Sequence, residues 1–305
     1  MAVQELTKRK HKVAIMNAVH DLPVLVARDR GFFKDEGLDI EFVTTPGMAQ
    51  VTTSHTVQFE TVFDRPLDSV YNEGGIDQYR MCEWGIMKRA VEADTEGLRR
   101  RKIVALGASM SRFAIVTTRE SKIYEPEMLK DQLISVTPNN GSHFTMLKMV
   151  EGFLKRDEIK WTNAGTHKER LEALRAGTVK AVSLQEPWIS VAEAKGARVL
   201  IESRSTRSEA AGDELDGATL AKMFRAEARA AEAIDKNPAK YAHYLLEEAG
   251  GAIALRDLKL SRLLNAPPTP YTRERFNDNY QWTLSWGLVP AGATYENTVD
   301  DRAWR

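Results

Sequence analysis

Short apolar runs that favour β-strands alternate with longer helical segments along most of the chain. The runs at residues 12–17 (KVAIMN), 38–44 (LDIEFVT) and 113–118 (FAIVTT) have the apolar and β-branched character of strands. Further strands are predicted at residues 76–82, 101–106, 133–137, 179–184 and 198–202. This rhythm predicts an α/β fold with a largely parallel sheet in each half of the chain. The Ala-rich sequence after about residue 217 is predicted to be mostly helical, and the polar stretch 203–216 to be a flexible surface loop.

Size, charge and cysteine content exclude several classes of protein. The chain has 305 residues, of which 43% are hydrophobic, and this is enough for two domains with sizeable cores. Its 43 Lys and Arg residues balance 43 Asp and Glu residues, so no general attraction to nucleic acid or anionic lipid is expected. The single cysteine, Cys82, excludes an intrachain disulfide and any multi-cysteine zinc or iron–sulfur site. We therefore expect a soluble protein that binds no nucleic acid.

The N-terminal sequence bears on the cellular compartment. Four basic residues between positions 8 and 12 precede only about seven residues of mixed apolar character, which include Asn17. A secretory signal needs roughly 7–15 apolar residues and a cleavage site of small residues, and a membrane helix needs about 18 apolar residues. This pattern predicts a cytoplasmic protein without membrane insertion, or a periplasmic one if a signal sequence has been removed.

Three segments carry a family resemblance, at residues 27–40 (ARDRGFFKDEGLDI), 171–181 (LEALRAGTVKA) and 185–188 (QEPW). They resemble the type II periplasmic-binding-protein fold in its NMT1/THI5-like branch, which includes nitrate-, taurine- and sulfonate-binding proteins. The order of the segments along the chain is the order found in that branch. The resemblance implies two α/β lobes that are joined by two crossover strands and hold a ligand in the cleft between them.

The resemblance also implies a domain division. Lobe one would be discontinuous and contain residues 1–111 and 204–305, and lobe two would contain residues 112–203. The chain would cross between the lobes near residues 111–116 and return near residues 201–203. The helical C-terminal part would then pack on lobe one.

A fourth segment points to enzymes on the same fold. Residues 63–66 (FDRP), followed by Gly74 and Gly75, are similar to the YDQP…GG stretch of the cytoplasmic aromatic sulfinate desulfinase. The chain differs from that enzyme at two of its catalytic positions. Ala18 occupies the position of its nucleophilic cysteine, and Glu60 occupies the position of its histidine. Desulfination by that mechanism is therefore not expected. We predict instead an enzyme that acts on a small aromatic or heterocyclic acid, most naturally a decarboxylase-like lyase.

The alternative prediction is a solute-binding component of an ABC importer, with a permease as its partner and a sulfonate-, nitrate- or pyrimidine-like ligand. A cytoplasmic ligand sensor without chemistry is a third hypothesis. The expected partner in the main prediction is a small organic anion. No motif requires an organic cofactor, and the cysteine-rich iron motif of the thiamine pyrimidine synthases is absent from the sequence. The sequence leaves both a metal requirement and a homodimer open.

Open parallel sheets bind ligands outside the carboxyl ends of their strands, and this rule selects the loops that follow the predicted strands. His20 and Asp21 follow the first strand. His20 is a candidate general base or donor, because the ordinary pKa of imidazole lies near neutrality, and Asp21 is a candidate ligand contact. In the competing interpretation Asp21 caps the following helix and His20 only flanks it.

Cys82, Glu83 and Trp84 stand between a predicted strand and a predicted helix. A helix N-terminus lowers the pKa of a thiol and attracts anions, so Cys82 is a candidate nucleophile and Glu83 a candidate acid or base. Trp84 could stack on a planar ring of the ligand. Free cysteine is often a buried core residue, and that interpretation of Cys82 stays open.

Glu60 and Asp64 form another pair of candidates. Paired carboxylates can divide the general-acid and general-base roles when their environments differ. We assign Glu60 to proton transfer and Asp64 to substrate contact. Asp64 would equally suit the N-cap of a helix that begins at Pro66, which is a purely structural role.

The sequence PNNGSH, at residues 138–143, lies between a predicted strand and a predicted helix. The exposed backbone N–H groups at such a helix start suit a carboxylate, sulfonate or phosphate group. We therefore expect Asn139, Asn140, Gly141 and Ser142 to contact the ligand, although Asn140 and Ser142 are also good helix caps in any protein.

Three further residues are candidate substrate contacts. Arg112, at the first crossover, could pair in a bidentate manner with a carboxylate, and its alternative role is a surface ion pair of little energetic weight. Glu186 and Trp188 follow the strand predicted at 179–184 and are expected to face the cleft. Trp188 would cover an aromatic ligand, and Glu186 would accept a hydrogen bond from a ring hydroxyl or amine.

Overall fold

Eight strands form one mixed sheet in the part of the chain that the structure describes, residues 10–45 and 66–305 of a computed structural model. The strands are β1 (His11–Ile15), β2 (Ile40–Thr44), β3 (Gln78–Cys82), β4 (Lys102–Thr117), β5 (Leu133–Ser135), β6 (Lys160–Thr162), β7 (Ala181–Gln185) and β8 (Arg198–Ala211). Their order across the sheet is β2-β1-β3-β8-β4-β7-β5-β6. The predicted α/β fold class is confirmed.

Helices flank this sheet on both faces. In the same described ranges they are α1 (Ala18–Asp29), α2 (Phe32–Asp35), α3 (Pro66–Asn72), α4 (Glu83–Thr95), α5 (Gly141–Val150), α6 (His167–Arg175), α7 (Trp188–Ala194), α8 (Gly217–Lys236), α9 (Pro238–Tyr241), α10 (His243–Glu248), α11 (Arg273–Ser285) and α12 (Tyr295–Thr298). Side chains of the preferred capping types start several of them: Asn17 caps α1, Asn140 caps α5 and Thr166 caps α6. None of the described helices is long and apolar enough to cross a membrane.

The long strands β4 and β8 join two lobes. In lobe one β1, β2 and β3 run parallel, and in lobe two β5, β6 and β7 run parallel. Strand β3 is antiparallel to β8, β8 to β4, and β4 to β7. The parallel strands of the two lobes therefore point in opposite directions, and their carboxyl ends meet beside the middle of β4 and β8. The predicted lobe boundaries, at 111/112 and 203/204, fall within these two strands, and the division of the chain at those positions stays a prediction.

Two local predictions are wrong. The strands predicted at 101–106 and 113–118 are parts of one strand, β4, which pairs with β8 from Lys102 to Thr117 with irregular register in between. The polar stretch 203–216 is no surface loop, since most of it is the second half of β8 and is buried. Its charges are accommodated by partners that lie far away in the sequence: Glu209 accepts hydrogen bonds from Arg80 and Gln78, each at 2.9 Å.

The hydrophobic core is continuous on one face of the sheet and divided on the other. Val13, Ala114 and Val182 belong to a core that extends through both lobes under α1, α6, α7 and α8. The opposite face has one core in each lobe. Between these two cores α4 meets α5, and Cys82, Trp84 and Phe144 form a small separate cluster there, so the packing is thinnest where the lobes face each other.

The helical C-terminal part contacts both lobes rather than lobe one alone. Helix α8 packs on α1, and α11 packs on α4, both in lobe one. Arg262, however, donates to Glu186 in lobe two at 3.1 Å, and Trp282 of α11 donates to Glu151 next to α5 at 2.7 Å. The C-terminal part thus bridges the two lobes.

Candidate functional site

The carboxyl ends of the parallel strands enclose a cavity. Lobe one contributes Met16, Asn17, His20, Met81 and Cys82. The crossing strands contribute Phe113 and Arg207. Lobe two contributes Thr137, Asn140, Gly141, Ser142, His167 and Gln185. The pairing of the sheet brings these groups together, because Cys82 at the end of β3 lies opposite Arg207 and Gln185 at the end of β7 lies opposite Phe113. This is the crevice in which open α/β sheets hold ligands.

Four helices begin at this cavity. Helix α1 follows its cap Asn17, α4 follows Cys82, α5 follows its cap Asn140, and α6 begins at His167. The helices are nine to 13 residues long. A helix N-terminus carries a partial positive charge and unpaired N–H groups, so four of them around one cavity favour an anion there.

Arg207 is a buried cation at the cavity wall. Its side chain is 1% exposed, and its guanidinium lies 5.5 Å from the centre of the Phe113 ring. It donates to the carbonyl oxygen of Ser205 at 3.3 Å, and its Nε has no hydrogen-bond partner. Among the described residues no carboxylate lies within 4.0 Å of it. Burial lowers the pKa of Arg207, which reflects the cost of an unpaired charge in the interior.

A second buried guanidinium supports the wall of lobe two. Arg170 is fully buried and donates to the Thr137 hydroxyl, to the carbonyl oxygen of Ser183 at 2.8 Å and to that of Gly165 at 3.1 Å. Burial lowers the pKa of Arg170 to about 9. Since Thr137 lines the cavity, Arg170 both orients its hydroxyl and adds positive charge beneath the site.

Two histidines line the cavity in the neutral form. Burial, and then the positive charge of Arg207, lower the pKa of His20 well below 6.5. Burial also lowers the pKa of His167 well below 6.5. The ring of His20 contacts the Asn17 side-chain amide at 2.9 Å and Nη1 of Arg207 at 3.3 Å. Both imidazoles are therefore uncharged hydrogen-bonding groups at neutral pH.

The Cys82 thiol lines the same cavity but is protonated. It is 2% exposed, and burial raises its pKa although Arg207 and the start of α4 act in the opposite direction. The sequence argument expected the helix N-terminus to lower this pKa. Desolvation outweighs the helix charge because the thiolate would have to form inside the protein.

Asp21 and Glu83 lie next to the cavity without lining it. Asp21 is fully buried, where it accepts the backbone N–H groups of Met16 and Asn17 and pairs with Arg80 at 2.6 Å. Glu83 is buried on the side of the C-terminal part. Its carboxylate accepts hydrogen bonds from Arg275, Tyr271 and Asn279. The carboxylate oxygens of both residues therefore already accept hydrogen bonds from groups of the protein.

Glu186, Trp188 and Arg112 are also held away from the cavity. Glu186 is fully buried and bonds to Ser190 and Arg262, each at 3.1 Å. Trp188 lies behind the wall, where its ring is nearly parallel to that of His167 at 6.4 Å. Arg112 pairs with Glu202 at 3.3 Å across β4 and β8.

Trp84 and Asn139 complete the predicted set within the described residues. Trp84 lies between the lobes, 6.2 Å from the Phe144 ring and 5.6 Å from the Trp282 ring, and its Nε1 donates to Asn279 at 2.7 Å. Asn139 precedes the cavity-lining residues and has a positive φ of 52°. The remaining two candidates, Glu60 and Asp64, lie outside the described residues.

The structure thus brings together five of the predicted residues: His20, Cys82, Asn140, Gly141 and Ser142. It adds others that sequence reasoning did not select, chiefly Arg207, His167, Gln185 and Thr137. The strand-end rule would have found Gln185 and Thr137, since each stands at or just after the end of a strand. Arg207 had no such signal, because its strand looked like a polar loop.

The cavity is small, and the described ranges contain no metal-binding cluster. The centres of water-sized molecules can occupy only about 20 Å³, little more than one water molecule requires. No group of three or more His, Cys, Asp or Glu side chains in residues 10–45 and 66–305 is arranged to hold a metal ion. A ligand larger than water therefore needs more space than this arrangement of the lobes leaves.

Solved structures with the same fold cover almost the whole chain. The alkanesulfonate-binding protein SsuA from Xanthomonas axonopodis pv. citri, bound to MOPS, superposes with a TM-score of 0.70 at 16% identity over 93% of this chain and 95% of that one. The periplasmic aliphatic sulphonate binding protein SsuA from Escherichia coli gives 0.71 at 17% identity, over 98% and 93%. The desulfurization enzyme DSZB gives 0.61 at 13% identity, over 97% and 98%.

These similarities show the fold and not the function. The predicted periplasmic-binding-protein-like fold with two lobes is confirmed, and it is shared by binding proteins and by an enzyme. No protein-family model matches the chain, and no curated protein matches its sequence. The NMT1/THI5-like branch and the cytoplasmic location accordingly stay predictions.

Proposed function

We propose that this chain is a binding protein that encloses a small organic anion, a sulfonate or a carboxylate, between its two lobes. The two lobes would close on the ligand, with residues 1–111 and 204–305 in one lobe and residues 112–203 in the other. Its role would be that of the solute-binding component of an ABC importer in the NMT1/THI5-like branch. This reverses the order of the two hypotheses drawn from the sequence, in which a decarboxylase-like lyase came first.

Arg207 is the observation that carries the proposal. No carboxylate of the described residues contacts this buried guanidinium, so no direct ion pair there offsets its loss of hydration, which costs several kcal/mol for a buried ion. An anion in the cavity would supply the missing partner through charge-assisted hydrogen bonds. The four helix N-termini add to the same positive potential, and none of the described cavity-lining residues is acidic.

The small volume of the cavity supports a closing mechanism. Because β4 and β8 are the strands that pass between the lobes, bending along this pair would open the cleft. The closed arrangement removes water from around the ligand, so that Arg207 and the helix N-termini act at low dielectric. The anionic group would lie at the buried end, next to Gly141 and Arg207.

The second candidate is an enzyme that acts on the same class of acid. It is favoured by the presence of Cys82, His20 and His167 around one cavity. Proton transfer at neutral pH works best with groups whose pKa lies near the working pH. Burial raises the pKa of Cys82 and lowers those of both histidines, and these directions favour binding over catalysis.

A thermal-shift panel with mass analysis tests the choice. The anions are methanesulfonate, ethanesulfonate, benzenesulfonate, acetate and benzoate at constant ionic strength, and dimethyl sulfone is the uncharged analogue of methanesulfonate. A binding protein should be stabilised in a saturable manner by at least one anion, unaffected by dimethyl sulfone, and leave the ligand mass unchanged. Stabilisation by no anion would contradict the proposal.

Chemical conversion of a ligand would support the enzyme hypothesis instead. Loss of carbon dioxide or of sulfite from a ligand during incubation, abolished by Cys82→Ser or His20→Ala, would establish catalysis at this cavity. Unchanged ligand after prolonged incubation with the wild-type protein would leave binding as its function.

A further inference from the structure

Asn17 determines which ring nitrogen of His20 carries the proton. Its Oδ1 accepts the backbone N–H of His20 at 3.0 Å, which completes the cap of α1. Its Nδ2 then lies 2.9 Å from Nδ1 of the His20 ring. An amide nitrogen only donates, so Nδ1 has to accept, and the proton of the neutral ring is on Nε2.

In this tautomer two hydrogen-bond donors face each other at the cavity wall. Nε2 of His20 lies 3.3 Å from Nη1 of Arg207, and neither group can accept from the other. The opposite tautomer would let Nε2 accept from Arg207. It would, however, turn the Asn17 amide over, place its NH₂ group against the backbone N–H of His20, and remove the α1 cap. An anionic oxygen that bridges Nε2–H and Arg207 satisfies both donors and keeps the cap.

We propose that His20 is a neutral Nε2–H donor to the bound anion, beside Arg207, and that Asn17 holds it in this tautomer. The inference rests on the proposed function, because the anion is the one expected in the same cavity. It makes His20 a residue that selects ligands by their acceptor oxygens without becoming charged. Binding of the anion should therefore take up no proton at His20.

The surroundings of His20 oppose a second proton on its ring. Of the described residues, the titratable and charged groups that face it from neighbouring elements are Arg207 of β8, Arg80 and Cys82 of β3, and His167 of α6. Asp21, in its own helix, is engaged by Arg80. Glu248 of α10 accepts the backbone N–H of Ala18 at 2.8 Å, and burial raises its pKa to about 7. Glu248 is thus a neighbouring group that titrates near neutrality, and it has to be controlled for.

Proton uptake measured by calorimetry tests this directly. Methanesulfonate is titrated into the Glu248→Gln protein at pH 6.0 in buffers that differ in ionisation enthalpy, and the slope of the observed heat gives the number of protons bound. The expected slope corresponds to no proton. A slope near one proton per anion would overturn the neutral-donor role while leaving the anion site intact, whereas absence of binding in the wild-type protein would count against the proposed function itself.

Two substitutions provide an independent readout. His20→Gln retains a neutral N–H donor at a similar reach, and His20→Leu removes it. We expect the glutamine variant to bind methanesulfonate within about threefold of wild type and the leucine variant about tenfold or more weakly, since a hydrogen bond to a charged group is lost. His243→Gln, on the exposed side of α10, is the matched control. If His20→Gln and His20→Leu weaken methanesulfonate binding equally, the shape of the His20 side chain and not its N–H donor determines the affinity.

The tautomer itself is observable in the folded wild-type protein. In a sample labelled with ¹⁵N in histidine, Nε2 of His20 should show a directly bonded proton in the methanesulfonate complex, and Nδ1 should show none. A proton on Nδ1, or on both nitrogens, would overturn the inference.

Discussion

The carboxylate of Glu151 and the indole of Trp282 form a hydrogen bond from one lobe to the other, with Oε2 of Glu151 2.7 Å from Nε1 of Trp282. Glu151 directly follows α5 in lobe two, whereas Trp282 belongs to α11, which packs on lobe one. The same carboxylate oxygen accepts from Trp286 at 3.1 Å, and Nζ of Lys148 lies 4.3 Å from the Trp282 ring centre. These contacts stabilise the arrangement of the two lobes that the structure shows.

Removal of this link should open the protein. In Glu151→Leu we expect the closed form to be less populated, so that methanesulfonate binds roughly fivefold to tenfold more weakly, mainly through faster dissociation. Stopped-flow tryptophan fluorescence gives the dissociation rate, and small-angle X-ray scattering of the ligand-free protein should show a larger radius of gyration. Glu172→Leu, on the exposed face of α6, is the control. Unchanged dissociation in Glu151→Leu would mean that the link does not hold the lobes together.

Arg207→Met should stabilise the protein without ligand. No carboxylate of the described residues contacts this buried charge, so its replacement by an apolar side chain of similar length is expected to raise the melting temperature by about 2–8 °C. Arg80→Met is the matched control, because Arg80 is equally buried but paired with Asp21 and Glu209. That variant should melt at a lower temperature. If calorimetry shows that both substitutions destabilise alike, Arg207 is a structural residue.

Gly141→Ala should narrow the site. A Cβ atom at this position would lie 3.1 Å from Phe113 Cζ and 3.3 Å from Arg207 Nη1, closer than most side-chain contacts. We expect about tenfold weaker methanesulfonate binding with little loss of stability, because the added methyl group competes with the anion for the same small space. Gly152→Ala has no atom within 4 Å of the new Cβ and serves as control. Equal affinity of both variants would place the anion elsewhere.

Glu248 should make the stability of the protein depend on pH. Burial raises its pKa from 4.5 to about 7, so the folded protein binds more protons than the unfolded chain between these values. The stabilisation is complete below pH 4.5 and is lost as the pH rises through 7. Relative to Glu248→Gln, the wild-type free energy of unfolding should therefore fall by about 1–3 kcal/mol between pH 5 and pH 8. The free energies of unfolding are obtained from denaturation curves of both proteins. A difference between the two proteins that stays constant from pH 5 to pH 8 would contradict the raised pKa of Glu248.

The sequence predicted the α/β class from local patterns, whereas the two-lobed arrangement was implied by the family resemblance of three segments. Alternation of short strands and helices requires only neighbouring residues, and the Asn140 cap with Gly141 and Ser142 predicted a helix start at the cleft that the structure places at the cavity. Such features depend on a few consecutive residues, so they are visible without any knowledge of distant contacts.

The charged part of the site could not be predicted in the same way. Glu83 and Glu186 stand at strand ends and look available, but Arg275 and Arg262 pair with them from 192 and 76 residues away. Arg207 looked like part of a solvated loop, because the groups that surround it in the sheet, Cys82 and Phe113, are equally remote in sequence. Whether a buried charge is paired or free is decided by such contacts.

The most direct test of the account is the affinity of methanesulfonate for the wild-type protein and for Arg207→Met, measured by isothermal titration calorimetry at fixed ionic strength, with dimethyl sulfone as the uncharged analogue. The account predicts a single saturable site in the wild type, a loss of about 100-fold or more in the variant, and no binding of dimethyl sulfone. Equal affinity of the two proteins for methanesulfonate, or binding of dimethyl sulfone as tight as that of the anion, would contradict an anion site at Arg207.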